Sequence, residues 1–394
     1  MKKCLIVTEG YYSGRCANAL CIKNIAKSFN DSDLKADILS AEDTDFADNE
    51  FCIRHFECGG IIYKCIKKIT RLATYPVRDK KLSRDIRVKV AGLMKKHNYD
   101  AIIAVVNPTE SADAISGLKK EFPNTKFLLY EIDPYSCRFK YPKNFLEKWL
   151  TALSKRWEKK VYKEMDIIIH MKTHTKHFLE HNYKKYAEKT VFLDIPNFVR
   201  NDVFFENNEN AECCKFIYTG AFYPDLRNPK TMMEILDKLY LKEKFEMHVY
   251  TGKDMAYMIK DREYVKIHNE IPHDDMMKKL YAADIFVSLG NYKSDYLPSK
   301  IFTYMSVGKP IIHFYQNGDS SISYLKKYTR ALLINQDDDI EINADRIAAF
   351  LGKYSQIPID RETLYRDLAE NTPEFTAKQF ATMIGEKNEI GSKI

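Results

Sequence analysis

Short, almost wholly apolar runs alternate with amphipathic stretches along this chain. They constrain its fold more than any other feature. "CLIVTEG" (4–10), "KADIL" (35–39), "YDAIIAVVNP" (99–108), "KFLLYEIDP" (126–134) and "DIIIHM" (166–171) occupy the first half. Several stop at glycine or proline, and each is too short for a core helix. Between them lie helical patterns: "SGRCANALCIKNIAKSF", "TESADAISGLKKEF" with Thr109 and Ser111 as cap candidates, and "NFLEKWLTALSKRWEKKVYKEM". Apolar strands alternating with helices predict βαβ units and a parallel sheet buried on both faces.

The rhythm breaks at "IPNFVRNDVFFENNENAECC" (195–214), which is rich in Asn and Glu, and then restarts. "KFIYTGAF", "FEMHVYTG", "VKIHNEI", "DIFVSLGN" and "KPIIHFY" read as strands. "NPKTMMEILDKLYL", "HDDMMKKLYAA", "SKIFTYMSVG", "ADRIAAFLGKY" and "TAKQFATMIGEK" read as helices. A chain of 394 residues exceeds one ordinary core. The expectation is therefore α/β: two Rossmann-like, doubly wound domains facing a cleft, with the boundary near residue 200. Ligands of such sheets bind beyond the carboxyl ends of the strands.

Composition narrows the class. Charged residues make up 30% and apolar ones 45%, as in a globular protein. No apolar run reaches the length of a spanning helix, and the N-terminal "CLIV" is too short for a secretory signal. Nine cysteines form no CxxC pair, so reduced cytoplasmic thiols are expected rather than disulfides or zinc. Charge is uneven: residues 1–200 carry 37 basic and 25 acidic side chains, against 25 and 30 in the remainder. Residues 61–97 hold twelve basic residues against Asp79 and Asp85. Ile61, Ile62, Ile66, Ile69 and Leu72 interleave with Lys64, Lys67, Lys68 and Arg71, a pattern that fits an anionic membrane surface. Few aromatics accompany these charges, which speaks against nucleic acid as a partner.

Three stretches carry candidate chemistry. Pro298, Ser299 and Lys300 lead into a helix. There, free N–H groups, the helix dipole and the lysine suit an anion such as a diphosphate, with Ser299 as a cap. Gly308 stops that helix before an apolar strand. In "YTGAFYPDLRNPKT" a strand ends at Gly220, and Arg227 stands in the loop before a helix starting near Pro229. In "YEIDPYS", Glu131 and Asp133 sit two apart at a strand end. Asp133 is the candidate general base for an acceptor hydroxyl. Glu9 and His170 are further strand-end candidates.

"PSKIFTYMSVGKPII" resembles the nucleotide-sugar segment of GT-B glycosyltransferases, and "YTGAFYPDLRNP" their C-domain opening strand and loop. "IPNFV" is similar to the segment closing their N-domain, "WEKKVYKEMDIII" to the helix and strand before it, and "SGRCANALCIKNIA" to their first glycine loop and helix. The resemblance implies an acceptor domain over 1–200, a nucleotide-sugar domain over 201–371, and a terminal segment, 372–394, crossing back to the first. It implies a diphosphate held by Arg227 and Lys300, with Gly220, Pro298, Ser299 and Thr303 lining the donor. It implies Ser13, Gly14, Asn18 and Glu131 on the acceptor side, and no cofactor or metal beyond the nucleotide-sugar co-substrate. Many retaining members carry Glu-x7-Glu; here the second position is Thr303, and Asp295, eight residues earlier, takes the first acid's role. The implied reaction moves a sugar, most readily from a UDP-sugar, to a glycan or lipid-linked acceptor in surface polysaccharide synthesis. Two other readings stay open: a nucleotide-sugar epimerase of the same fold and a non-catalytic basic binding module.

Overall fold

The computed structural model describes residues 1–394 except 13–16, 30–32, 43–49, 55–72, 107–108, 140–141, 143, 181–182, 202–212, 293–296, 355–356 and 386–394. The chain divides into two compact units. One comprises Met1–Pro196 with Pro373–Ile394, the other Asn197–Thr372.

The first unit is built on β1 (Lys2–Glu9), β2 (Leu34–Glu42), β3 (Cys52–Arg54), β4 (Ala101–Val106), β5 (Lys126–Glu131), β6 (Ile167–Met171) and β7 (Thr190–Leu193). All pair in parallel in the order β3-β2-β1-β4-β5-β6-β7. Every residue of β4 is buried, as the unbroken run AIIAVV requires of a strand covered on both faces. Leu5, Val7, Ile102, Ala104, Phe127 and Leu129 pack on one face under helices Lys80–Lys96, Thr109–Ser116 and Phe145–Glu164. Ile6, Ile103 and Tyr130 pack on the other, under helix Ala17–Ser28 and the terminal helix Pro373–Gly385. Phe380 of that terminal helix meets Tyr130 edge-on at 5.3 Å, and Lys126 Nζ donates to the Met383 carbonyl at 2.8 Å.

The second unit holds β8 (Cys214–Thr219), β9 (Phe245–Tyr250), β10 (Val265–His268), β11 (Ile285–Leu289), β12 (Ile311–Tyr315) and β13 (Ala331–Asn335). These too are parallel, in the order β10-β9-β8-β11-β12-β13. Chain order reverses at the β8–β11 pair, the switch point of a doubly wound sheet. Helices Lys230–Lys242 and Ile340–Leu351 cover the face of Phe216, Met247, Val287 and Phe314.

Three details differ from expectation. Edge strands β3, β7 and β13 were not anticipated; β3 and β7 are only three and four residues long, and β13 is half exposed. The Thr109 hydroxyl is not a cap but donates to the Pro76 carbonyl at 3.1 Å. The described part of the 61–97 segment is mostly the helix Lys80–Lys96, whose Leu82, Ile86, Val90 and Leu93 face the core. Its charges are partly paired: Lys80 with Asp113 at 3.0 Å, Lys95 with Glu121 at 2.8 Å, and Lys96 with Glu50. Residues 61–72 lie outside the described residues.

Candidate functional site

The two predicted basic residues of the second unit come together at its switch point. Strand β8 gives way to Gly220 at φ 153°, where a β-carbon would meet Tyr218 Oη at 3.4 Å and Arg227 Nη1 at 3.6 Å. The following loop closes on itself through Tyr223 and Arg227. The Tyr223 N–H donates to the Arg227 carbonyl at 3.0 Å, and the Arg227 N–H to the Tyr223 carbonyl at 2.8 Å. The next helix starts at Lys230 with Pro229 directly before it, as expected, and Asn228 Oδ1 accepts the Lys230 N–H at 2.9 Å. Arg227 Nε donates to Oδ1 of Asn291, just past β11, at 3.0 Å. The Tyr292 N–H donates to the Leu226 carbonyl at 2.7 Å. Loops from the two sides of the switch point are thus tied together, and Arg227 is oriented by its Nε and by Nη1, which donates to the Ala221 carbonyl at 3.5 Å.

Lys300 begins the helix Lys300–Val307. Its ammonium is pushed down to about 8, first by desolvation and then by the positive charge of Arg227, with Glu270 acting in the opposite sense. The residue as a whole is exposed. Among the described residues Lys300 makes no hydrogen bond or ion pair. Two mutually repelling cations without a bound partner for one of them are electrostatically suited to an anion.

Ser299 is a correction. Its backbone is already helical (φ −61°, ψ −19°), and its hydroxyl makes no capping bond. A capping side chain needs an extended backbone to reach back to the N–H groups. Pro298 is buried, and its carbonyl accepts the Ile301 N–H at 3.2 Å. Thr303, partly buried, lies three residues beyond Lys300 and so on the same helical face. Gly308 adopts the left-handed conformation expected of a helix stop (φ 88°). Asp295 lies outside the described residues.

Two supporting groups were not anticipated. Tyr304 Oη accepts the Thr219 N–H at 3.1 Å and lies 2.9 Å from Thr219 Oγ1, fastening the helix to the end of β8. Beyond β12, His313 Nδ1 lies 3.0 Å from Ser288 Oγ. Its Nε2 lies 2.9 Å from Asp319 Oδ2 and 3.0 Å from Ser321 Oγ. This buried cluster fills the space over Gly290, where a β-carbon would sit 1.6 Å from Asp319 Oδ2. Neither group has a sequence signature beyond its residue types.

In the first unit, Ser13 and Gly14 lie outside the described residues. Asn18 is half-buried near the start of helix Ala17–Ser28. Glu9 ends β1, followed by Gly10 at φ 67°. The N–H of Tyr12 donates to Glu42 Oε1 at 2.9 Å, which ties this turn to the end of β2.

Glu131 is a second correction. It does not share a surface with Asp133 but is buried, accepting a hydrogen bond from Tyr162 and lying 3.2 Å from His170 Nδ1. Burial, then the charge of Glu158, raises its carboxyl well above the usual range. Burial also pushes His170 down to about 3. Both shifts favour the uncharged forms, and the buried pair is structural. Next to it, Glu158 accepts from the N–H and hydroxyl of Ser136, each at 2.7 Å, and from Tyr183. Asp133, by contrast, is partly exposed just beyond β5, with His174 Nε2 3.5 Å from its Oδ1. Among the described residues no group of three or more His, Cys, Asp or Glu gathers to hold a metal, and no helix is long and apolar enough to cross a membrane.

No family model and no curated protein matches the chain. Solved structures do. Sucrose-phosphate synthase from Thermosynechococcus elongatus is similar with TM-score 0.66 at 13% identity, over 97% of this chain and 98% of that one. An alpha-glucosyltransferase in complex with UDP and a DNA containing an HMU base has TM-score 0.63 at 11% identity, over 98% and 100%. A UDP-GlcNAc 2-epimerase from Methanocaldococcus jannaschii has TM-score 0.53 at 9% identity, over 96% and 99%. At these identities the likeness is one of fold: two Rossmann-like α/β units, the GT-B fold.

Proposed function

We propose that this GT-B protein is a glycosyltransferase. It moves a sugar from a nucleoside-diphosphate sugar, in the first instance a UDP-sugar, to a hydroxyl of a glycan or lipid-linked acceptor. The observation that carries this reading is the meeting of Arg227 and Lys300 at the switch point, with the Lys300 ammonium held low by desolvation and by Arg227. A diphosphate placed there relieves that repulsion. As the sugar departs, charge builds on the diphosphate, and a preoriented guanidinium, an ammonium and the N–H groups opening helix Lys300–Val307 stabilise it without calling on a metal. Thr303, on the Lys300 face, offers one hydroxyl to the ribose. Asp295 is proposed to act beside the transferring sugar.

On the first unit, Asp133 takes the acceptor proton, with His174 Nε2 3.5 Å from its Oδ1. Glu131 has no direct part, being closed off in the core. The proposed setting is the cytoplasmic side of a membrane on which surface polysaccharide is assembled.

A thermal-shift screen of UDP-, GDP- and dTDP-sugars tests the donor assignment. At least one donor should raise the melting temperature of the wild-type protein and fail to do so in Lys300→Ala and Arg227→Ala. Stabilisation by none of them, with the protein folded, removes the reading. The epimerase of similar fold supplies the alternative. Isomerised free nucleotide sugar in the absence of any acceptor would favour it.

A further inference from the structure

Helix Phe145–Glu164 opens with an apolar tip that stands exposed among the described residues. Asn144 caps it, its Oδ1 accepting the Glu147 N–H at 2.9 Å. Phe145 is 84% exposed, Leu146 53% and Trp149 43%. The first buried residue is Leu150.

Length explains the exposure. Twenty helical residues reach about 30 Å. The six-residue strands beneath, β4 and β5, reach about 20 Å. The far end of the helix is fixed by the short connection to β6, so the surplus projects past the carboxyl ends of the strands, the edge that carries Asp133.

The charge around this tip is mostly positive. Residues 138–160 contain eight Lys and Arg against Glu147 and Glu158. Glu158 is buried and hydrogen-bonded to Ser136 and Tyr183. Lys148, Arg156, Lys160 and Lys163 are exposed along the helix. None of these four makes an ion pair among the described residues. On helix Lys80–Lys96, by contrast, three lysines are paired.

We propose that the Phe145–Trp149 tip is a membrane-docking element: Phe145, Leu146 and Trp149 enter the headgroup layer of an anionic bilayer while Lys148 and Arg156 meet its lipid phosphates. An aromatic and aliphatic tip flanked by lysines is the composition that partitions to an interface, and each nearby cation adds attraction to anionic lipid. This places a membrane contact on an element other than residues 61–97. It rests on no part of the donor assignment. It brings the strand edge bearing Asp133 toward the surface where a lipid-linked hydroxyl lies.

Vesicle sedimentation tests it, using phosphatidylcholine alone and phosphatidylcholine with about 40% phosphatidylglycerol. The wild-type chain should bind the anionic vesicles at least about tenfold better, and Phe145→Ser/Leu146→Ser/Trp149→Ser should lose about tenfold of that binding. Its melting temperature and donor-induced stabilisation should stay unchanged. Lys148→Glu/Arg156→Glu, which leaves the apolar tip intact, should also weaken binding. The chain has two tryptophans, so the emission of Trp149 is separable: vesicles should shift it to the blue in wild type and not in Trp149→Phe. Absence of binding, equal binding by the triple variant, displacement by an oligonucleotide, or a blue shift arising from self-association without vesicles would each overturn the proposal.

Discussion

Arg227 Nε donates to Asn291 Oδ1 at 3.0 Å, a side-chain bond between the two loops of the switch point. Asn291 is buried, so its amide fixes where the guanidinium points. Asn291→Ala should lower affinity for the donor nucleotide about threefold to tenfold while the protein stays folded, because it releases Arg227 without removing its charge. Arg227→Ala should lower it about tenfold to a hundredfold, the worth of a hydrogen bond to a charged group. Titration calorimetry with UDP measures both, and unchanged affinity in the two variants would end the diphosphate assignment.

The Lys300 ammonium sits at about 8 without ligand. A bound diphosphate favours the charged form and lifts that value. Below pH 8 the lysine is already charged and binding is at full strength; above it a proton must be taken up. Donor affinity should therefore fall as pH rises from about 8, by up to about tenfold per unit. In Lys300→Arg that fall should vanish, since guanidinium stays charged. A pH series of UDP binding constants reads this directly.

Gly290 has no room for a side chain. The atom in the way, Asp319 Oδ2, is itself held by His313. Gly290→Ala should cost about 1–3 kcal/mol in a urea melt. Because Gly290 adjoins Asn291, it should also weaken donor binding. A neutral outcome on both measures would show that the cluster yields.

The buried pair Glu131 and His170 gives the first unit an opposed pH dependence. Burial raises Glu131 above the ordinary 4.5, so its stabilisation is complete below that value and is lost as pH climbs through the raised one. His170 falls from 6.5 to about 3, so its stabilisation is complete above 6.5 and is lost as pH drops toward 3. Glu131→Gln, neutral at every pH, should flatten the alkaline loss. His170→Gln should flatten the acid loss. Urea midpoints across pH measure both, and parallel curves for wild type and variants would refute the neutral assignment.

Much of the strand inventory was legible because buried parallel strands must be continuous apolar runs, and AIIAVV admits little else. Of the edge strands only β10 was, in VKIHNEI; β3, β7 and β13 were not, since an edge strand need only be half apolar. Helix Lys80–Lys96 was hidden by its charge, although Leu82, Ile86, Val90 and Leu93 recur at helical spacing. At the candidate donor site, Arg227 and Lys300 were readable from their places before two helices. The bonds that orient them were not: Asn291 and Tyr304 act across 64 and 85 residues of sequence. Glu131 misled because period-2 spacing puts two residues on one side of a strand but says nothing of what lies over each. Tyr162 and His170 close over Glu131, while Asp133 has already left the strand.

The terminal helix also sets an order of events at the ribosome. Phe380, Met383 and Ile384 share the cover of Ile6, Ile103 and Tyr130 with helix Ala17–Ser28, so the sheet translated first has one face only partly covered until helix Pro373–Gly385 emerges. The later-translated unit, Asn197–Thr372, has its own continuous core and is complete before them. The half of the protein that is made first is therefore the half that finishes folding last.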